Sequence, residues 1–320
     1  MKILIVFTGG TIGSLAADGV ISPNGQSKRM LVDRFDNKHG VIFDETEPYF
    51  ALSENNTGEN LTLLINCVID NLDKDYDGII VAHGTDTLQY SASALSFAIG
   101  ADTIPVVIVS ANYNLADRRS NGTDNFAGAV DFIVSRKGRG VFVSYKNSDG
   151  RMYIHRGSRL LAHNEFSDDL FSVKNQYFGM IDNGKFVKNE NYKAVKDEIK
   201  PLGRVNLNSQ CGIKTIYAKV GEAFDYKENK IYLVKSYHSG TLPTADENFI
   251  GFARSNNVFL SGFDKNTVYE SAAIYDELGL NILPVSSFIS SYIKLWLAHS
   301  KGLDLKEISK KSLGEDIVFD

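Results

Sequence analysis

Short, continuous apolar runs rich in β-branched residues recur along this chain, each followed by a small-residue turn. Ile3 to Phe7 precedes Thr8-Gly9-Gly10, Ile79-Ile80-Val81 precedes Ala82-His83-Gly84, and Val106 to Val109 precedes Ser110-Ala111-Asn112. Val141-Phe142-Val143 precedes a turn at 146–150. A strand that is apolar on both sides must be covered on both faces, and intervening helices supply the cover, so the pattern predicts a parallel sheet. Helical spacing appears where it is needed: Leu61, Leu64, Ile65, Val68 and Leu72 within 59–73, and Leu88, Leu95 and Ile99 within 87–99. The fold class is therefore α/β, beginning with a doubly wound parallel sheet.

The alternation lapses over 184–211, where Lys185, Lys188, Lys193, Lys196 and Lys200 mix with acids and asparagines before Pro201-Leu202-Gly203. That stretch reads as a polar hairpin or linker. Strands resume at 213–220, 231–236 and near Val258 to Ser261, and helices are expected from Pro284 to His299 and over 304–311. The 320 residues exceed the common domain size of about 100–150. The expected division is an N-terminal domain over 1–190, a linker over 191–211 and a second, smaller α/β C-terminal domain over 212–320.

A net charge of −5 argues against a nucleic-acid or anionic-membrane footprint, because those partners need a basic surface. Two cysteines, Cys67 and Cys211, provide neither a disulfide framework nor a metal cluster. No apolar run approaches the roughly 20 residues of a membrane span. Met1-Lys2 leads into a strand rather than a signal peptide. The expected location is the cytoplasm.

Glycine clusters carry the chemistry. Thr8-Gly9-Gly10-Thr11-Ile12-Gly13-Ser14 follows the first strand directly. Such a turn lets backbone N–H groups approach a ligand, with the hydroxyls of Thr8, Thr11 and Ser14 in range. Its glycine spacing departs from the dinucleotide fingerprint, and no Gly-Lys-Ser/Thr phosphate loop follows. A plain tight turn is the other reading. A second cluster, His83-Gly84-Thr85-Asp86-Thr87, follows strand 79–82 and precedes a helix. Turns at the C-terminal ends of parallel strands lie in the crevice where open sheets bind ligands. A threonine there can act as a nucleophile when a neighbour takes its proton. Thr85 or Asp86 also fits a simple helix N-cap, and a cap and a site residue are compatible.

T-G-G-T-I-G followed by H-G-T-D-T resembles the asparaginase family, most closely the cytoplasmic bacterial type I branch. Asp75 to Gly78, Tyr90 to Phe97, Arg156 to Arg159, Ser236-Tyr237 and Ser312 to Glu315 add to the likeness. The resemblance implies that Thr11 attacks a side-chain amide carbon, forming an acyl-enzyme and releasing ammonia. It implies that Thr85 and Asp86 form the second catalytic group, with Asp86 also receiving the substrate ammonium. Ser53 and Glu54 match the pair that binds the α-carboxylate and α-amino groups, although a serine in a loop also serves ordinary turn chemistry. Backbone N–H groups in the two glycine turns would stabilise the developing oxyanion, with Gly10 and Gly84 among the implied substrate-binding residues. The implied substrate is a small amino-acid amide, asparagine or a relative such as glutamine. No metal or cofactor is implied, and the implied assembly is a homodimer or homotetramer.

The chain departs from the family at defined places. Val20 stands where the family has a loop tyrosine, and Ala162 or a gap beside it where the family has a lysine. Ser110 to Asn114 replaces a Gly-x-x-x-Pro stretch, and Val285 and Ile289 occupy the place of an acid pair. His163, Arg159 and Tyr113 are the substitutes within sequence reach of the crevice, while His83 is expected to support its turn. The alternative function is an asparaginase-like fold that binds amino acids or acts on a different amide.

Overall fold

Apolar side chains on both faces bury β1 (Lys2–Phe7) inside an eight-stranded sheet. The computed structural model describes residues 1–10, 12, 14–17, 20–23, 30–194, 200–208, 211–224, 230–264 and 269–317. Next along the chain, β2 (Ser14–Ala17) and β3 (Val20–Pro23) pair as a separate antiparallel hairpin. Then come β4 (Ile42–Thr46), α1 (Gly58–Leu72), β5 (Gly78–Ala82), α2 (Leu88–Ile99), β6 (Val106–Val109) and α3 (Gly122–Ser135). The large sheet is completed by β7 (Val141–Lys146), β8 (Met152–Arg156), β9 (Gly179–Asp182) and β10 (Lys185–Lys188).

The order across this sheet is β10-β9-β8-β7-β6-β5-β1-β4. Strands β4, β1, β5, β6 and β7 run parallel, whereas β8, β9 and β10 add antiparallel. The expected parallel sheet is extended at that edge by three antiparallel strands. Met152 to Arg156 mixes polar and apolar residues and is only partly buried, which suits an edge extension reached by a tight turn rather than a helical crossover.

Successive side chains along the parallel strands divide between two cores, as the two-residue period of a strand requires. Leu4, Val6, Ile79, Val81, Val106, Ile108, Val141 and Val143 pack beneath α1 and α2. Ile3, Ile5, Phe7, Ile80, Val107, Val109 and Phe142 pack against α3, through Phe126, Ala129, Val130 and Ile133. Burying each large side chain contributes about 1.5–3 kcal/mol, so both helical layers are needed to exclude water from this sheet.

A second sheet holds β11 (Ile213–Tyr217), β12 (Ile231–Lys235), β13 (Asn257–Ser261) and β14 (Asn281–Ile282), all parallel and in sequence order. Its helices are α4 (Glu247–Ser255), α5 (Phe288–Ser300) and α6 (Leu305–Ser309). Helix α5 starts at Phe288 rather than Pro284, because Ser287 caps it by accepting from the Ser290 amide. Its Ile289, Ile293 and Leu297 join the core over the first sheet, while Leu295 and Ala298 join the core of the second. This one helix therefore ties the two sheets together.

The C-terminal turn reinforces the junction. Lys294 is paired with Glu315, both nearly inaccessible, and also donates to the Lys311 carbonyl. Arg159 donates to the carbonyls of Lys193, at 2.7 Å, and Asp316, at 2.8 Å. Arg159 is thus wholly buried structural cement, and the expectation that it reaches the crevice is corrected.

Candidate active site

The chain passes from β1 to one side, β4, and then to the other, β5. Between β1 and β5 the winding reverses, and at such a switch point the loops diverge and open a crevice. The second sheet has no reversal, so the topology assigns the site to the first.

Three segments meet at that crevice. The Thr8 amide donates to Ala82 O at 3.1 Å, the Ala51 amide to Thr8 O at 3.0 Å, and the Gly10 amide to Ala51 O at 2.9 Å. Gly10 has φ of +75°, and a Cβ added there would lie 2.3 Å from the backbone of Gly84. A Cβ on Gly84 would lie 2.4 Å from Ser53 Oγ. Only residues without a Cβ allow the two turns and Ser53 to approach this closely.

Ser53 sits in a single helical turn, Ser53–Asn55, and is buried. Its hydroxyl donates to Asp86 Oδ2 at 3.1 Å and accepts from the Asp86 amide at 3.3 Å. Its carbonyl accepts from Thr87 Oγ1 at 2.9 Å, and Asn56 Nδ2 donates to the same Thr87 oxygen at 2.9 Å. Thr87 holds the N-cap position of α2. Thr85 and Asp86 are therefore not the cap, and the simple capping reading is corrected.

His83 supports this turn from inside. Nδ1 lies 2.8 Å from Gly84 O; a carbonyl only accepts, so Nδ1 carries the proton and Nε2 accepts from Ser91 Oγ at 2.8 Å. Complete burial pushes its pKa down to about 4, leaving a neutral ring that braces the backbone.

Thr85 and Asp86 line a pocket of about 340 Å³ together with Asn112, Tyr145, Ala162 and His163. Ala162 presents only a methyl group where the family resemblance places a lysine. Glu54 is solvent-exposed in the turn after Ser53. Tyr113 lies beneath the Arg119 guanidinium, 4.1 Å from its ring centre. Thr11 and Gly13 lie outside the described residues. Val20 is on β3, its backbone paired with Ala17, and its side chain is likewise outside the described set.

Sequence reasoning missed two members of this region. Tyr145 is fully buried, and burial pushes its phenol up to about 12, the Asn121 amide opposing that rise. Tyr49 lies close to Thr8 and Asn56, and burial pushes its phenol up to about 12 as well. The signal for Tyr145 was present, since Val141, Val143 and Tyr145 alternate onto one core.

The site is thus a glycine-lined switch point with a serine-anchored carboxylate in an α/β protein. Residues 2–193 match the N-terminal asparaginase domain, and the chain belongs to the asparaginase family. A glutamyl-tRNA(Gln) amidotransferase component from Methanococcus maripaludis strain C7 is 26% identical over 99% of this chain and 80% of its own length. Its counterpart from Methanosarcina barkeri is 30% identical over 57% of this chain and 43% of its own length. The thermostable L-asparaginase from Thermococcus kodakarensis shares the fold with a TM-score of 0.79 at 21% identity, covering 100% of both chains. L-asparaginase I from Vibrio cholerae does so with a TM-score of 0.75 at 23% identity, over 99% of each.

Proposed function

We propose that this protein hydrolyses the side-chain amide of L-asparagine, or of a related amide such as L-glutamine, to the acid and ammonia. The observation that carries this reading is the Ser53–Asp86 pairing beside Thr85 at the pocket wall. It fixes a carboxylate for the substrate ammonium next to the Thr85 hydroxyl, and the Gly10 turn abuts Gly84, the residue before Thr85.

Thr11 is the proposed nucleophile: its oxygen bonds to the amide carbon, the C–N bond breaks, and ammonia leaves. Water then cleaves the resulting ester. Thr85 and Asp86 supply the second hydroxyl and acid, and Ser53 and Glu54 are the pair proposed to bind the α-carboxylate and α-amino groups. The Gly10 amide is committed to Ala51 O, so other amides of the two glycine turns would meet the developing oxyanion, where preorganised donors count most. The similarity to an amidotransferase component over 99% of this chain and 80% of that relative supports amide-nitrogen chemistry and brings glutamine in beside asparagine. A homodimer or homotetramer is the proposed assembly, and light scattering reads it directly.

The test is ammonia release from asparagine, glutamine and succinimide-like amides by the wild type and Thr11→Ala. Release that disappears in Thr11→Ala supports the proposal. Wild-type release no greater than that control, with aspartate still binding by calorimetry, would establish an amino-acid-binding protein instead.

A further inference from the structure

Two buried polar atoms on residues that line the pocket, His163 Nε2 and Tyr145 Oη, are withdrawn from solvent and make no hydrogen bond of full geometry among the described residues, although the Asn121 side chain lies beside the Tyr145 oxygen. The two rings are neighbours, with centroids 5.9 Å apart. Native proteins pair nearly all such buried groups, and an unpaired one calls for a functional explanation. Ala162, immediately before His163, leaves the space that a long side chain would fill, and no lysine or arginine lines the pocket among the described residues.

The tautomer of His163 follows from its other nitrogen. Nδ1 lies 3.1 Å from the Asp169 carbonyl, which can only accept, so Nδ1 bears the proton and Nε2 bears the lone pair. Nearby His155 has no such constraint. Its Nδ1 faces Ser172 Oγ at 2.8 Å, a hydroxyl that donates or accepts, and it does not line the pocket. Tyr145 keeps its phenolic proton at neutral pH, because burial holds its pKa near 12.

We propose that His163 is the proton acceptor of this site, in the place left open by Ala162. The proposal rests on the amide-hydrolysis reading above. As the attacking hydroxyl bonds to the amide carbon, its proton passes to the Thr85 oxygen, and Thr85 gives its own proton to His163 Nε2. The imidazolium then returns a proton to the departing nitrogen as the C–N bond breaks, and ammonia leaves. Water repeats the sequence on the acyl-enzyme. Tyr145 steadies the ring without changing charge.

The charge environment suits this cycle. Asp86, Asp168, the Asp169 carboxylate and the Asp169 carbonyl favour the imidazolium, while burial opposes it, and burial wins. Burial, and to a smaller extent the neighbouring His163, disfavour the charged form of the His155 ring. The pKa of His163 is thus held below 6.5. The ring is a neutral base at pH 7, with carboxylates in place to stabilise the transient cation.

His163→Gln and His163→Asn, made in the full chain, test this with the amide that the wild type hydrolyses. Expected is a fall in kcat of about 10²–10⁴-fold with KM little altered. The acid limb of the pH–rate profile, centred below 6.5 in the wild type, should vanish. A variant that keeps wild-type kcat and its acid limb overturns the proposal. ¹⁵N NMR of wild-type histidines gives a reading that does not depend on turnover. His163 should be neutral at pH 7 with the lone pair on Nε2, and that nitrogen should shift on saturation with L-aspartate. A protonated ring at pH 7, or a resonance that aspartate leaves unmoved, overturns the proposal. Absence of ammonia release from every amide overturns the hydrolase reading instead, and the NMR result then decides the role of His163 alone.

Discussion

Ser53 Oγ lies 3.1 Å from Asp86 Oδ2 and 3.3 Å from the Asp86 backbone nitrogen, so one hydroxyl holds both ends of the same acid. The serine ties the segment after β4 to the turn after β5, across 33 residues of sequence. The carboxylate is thereby oriented before any substrate arrives, and preorganisation of this kind lowers the cost of binding.

Ser53→Ala should leave the Asp86 amide and carboxylate without this partner. The expected destabilisation is about 1–3 kcal/mol, read by urea unfolding. Ammonia release should suffer mainly through a higher KM. An unchanged KM for the hydrolysed amide would remove Ser53 from the binding machinery.

Gly10→Ala should be far more damaging than an ordinary turn substitution. Its left-handed φ of +75° costs an L-residue about 1–2 kcal/mol, and overpacking against Gly84 adds about 1–3 kcal/mol. Thermal unfolding of Gly10→Ala beside Gly40→Ala separates the two terms. Gly40 also has positive φ but nothing within 4 Å of an added Cβ, so it should lose only the backbone share.

Acid should destabilise the fold through its buried histidines. His83 and His155 have folded pKa values of about 4 and about 3, both depressed by burial below 6.5. The unfolded chain binds protons that the native state refuses, so stability is full above pH 6.5 and falls as pH drops toward those values. Each histidine contributes about 1.4 kcal/mol per pH unit within its window. Urea unfolding at pH 7.5, 6.0 and 5.0 measures the slope, and a flat profile would contradict neutral, buried rings.

The Lys294–Glu315 pair should show the asymmetry of buried charges. Lys294→Met alone strands a carboxylate and should cost about 3–5 kcal/mol. Adding Glu315→Gln removes the charge but keeps an acceptor for the Leu313 amide, which Glu315 serves at 2.6 Å. The double variant should recover more than half of the loss in chemical denaturation. Equal stability of single and double variants would mean that the charge is not what matters there.

The strands at 3–7, 79–82 and 106–109 were legible because two-sided burial leaves an unbroken apolar run, which polar edges do not. Strands β8 to β10 escaped detection for that reason, with Tyr153, His155 and Arg156 interrupting any pattern. Helix α4 escaped too; its cap is Asp246, which accepts from the Asn248 amide at 2.9 Å, a signal easily taken for a turn. At the site, the glycine turns and their hydroxyls stood out, but the partners of those groups did not. Arg159 illustrates the gap: an arginine near the expected crevice turned out to hold two distant carbonyls.

Local sterics and the two-residue and 3.6-residue periods act over a few neighbours, so composition and spacing alone specified an α/β chain with glycine turns at two strand ends. Which atoms meet depends on sheet order and the register of segments far apart in the chain. That long-range geometry brought Ser53 to Asp86, set Gly10 against Gly84, and left His163 Nε2 unpaired on a ring that lines the pocket shared by Thr85 and Ala162.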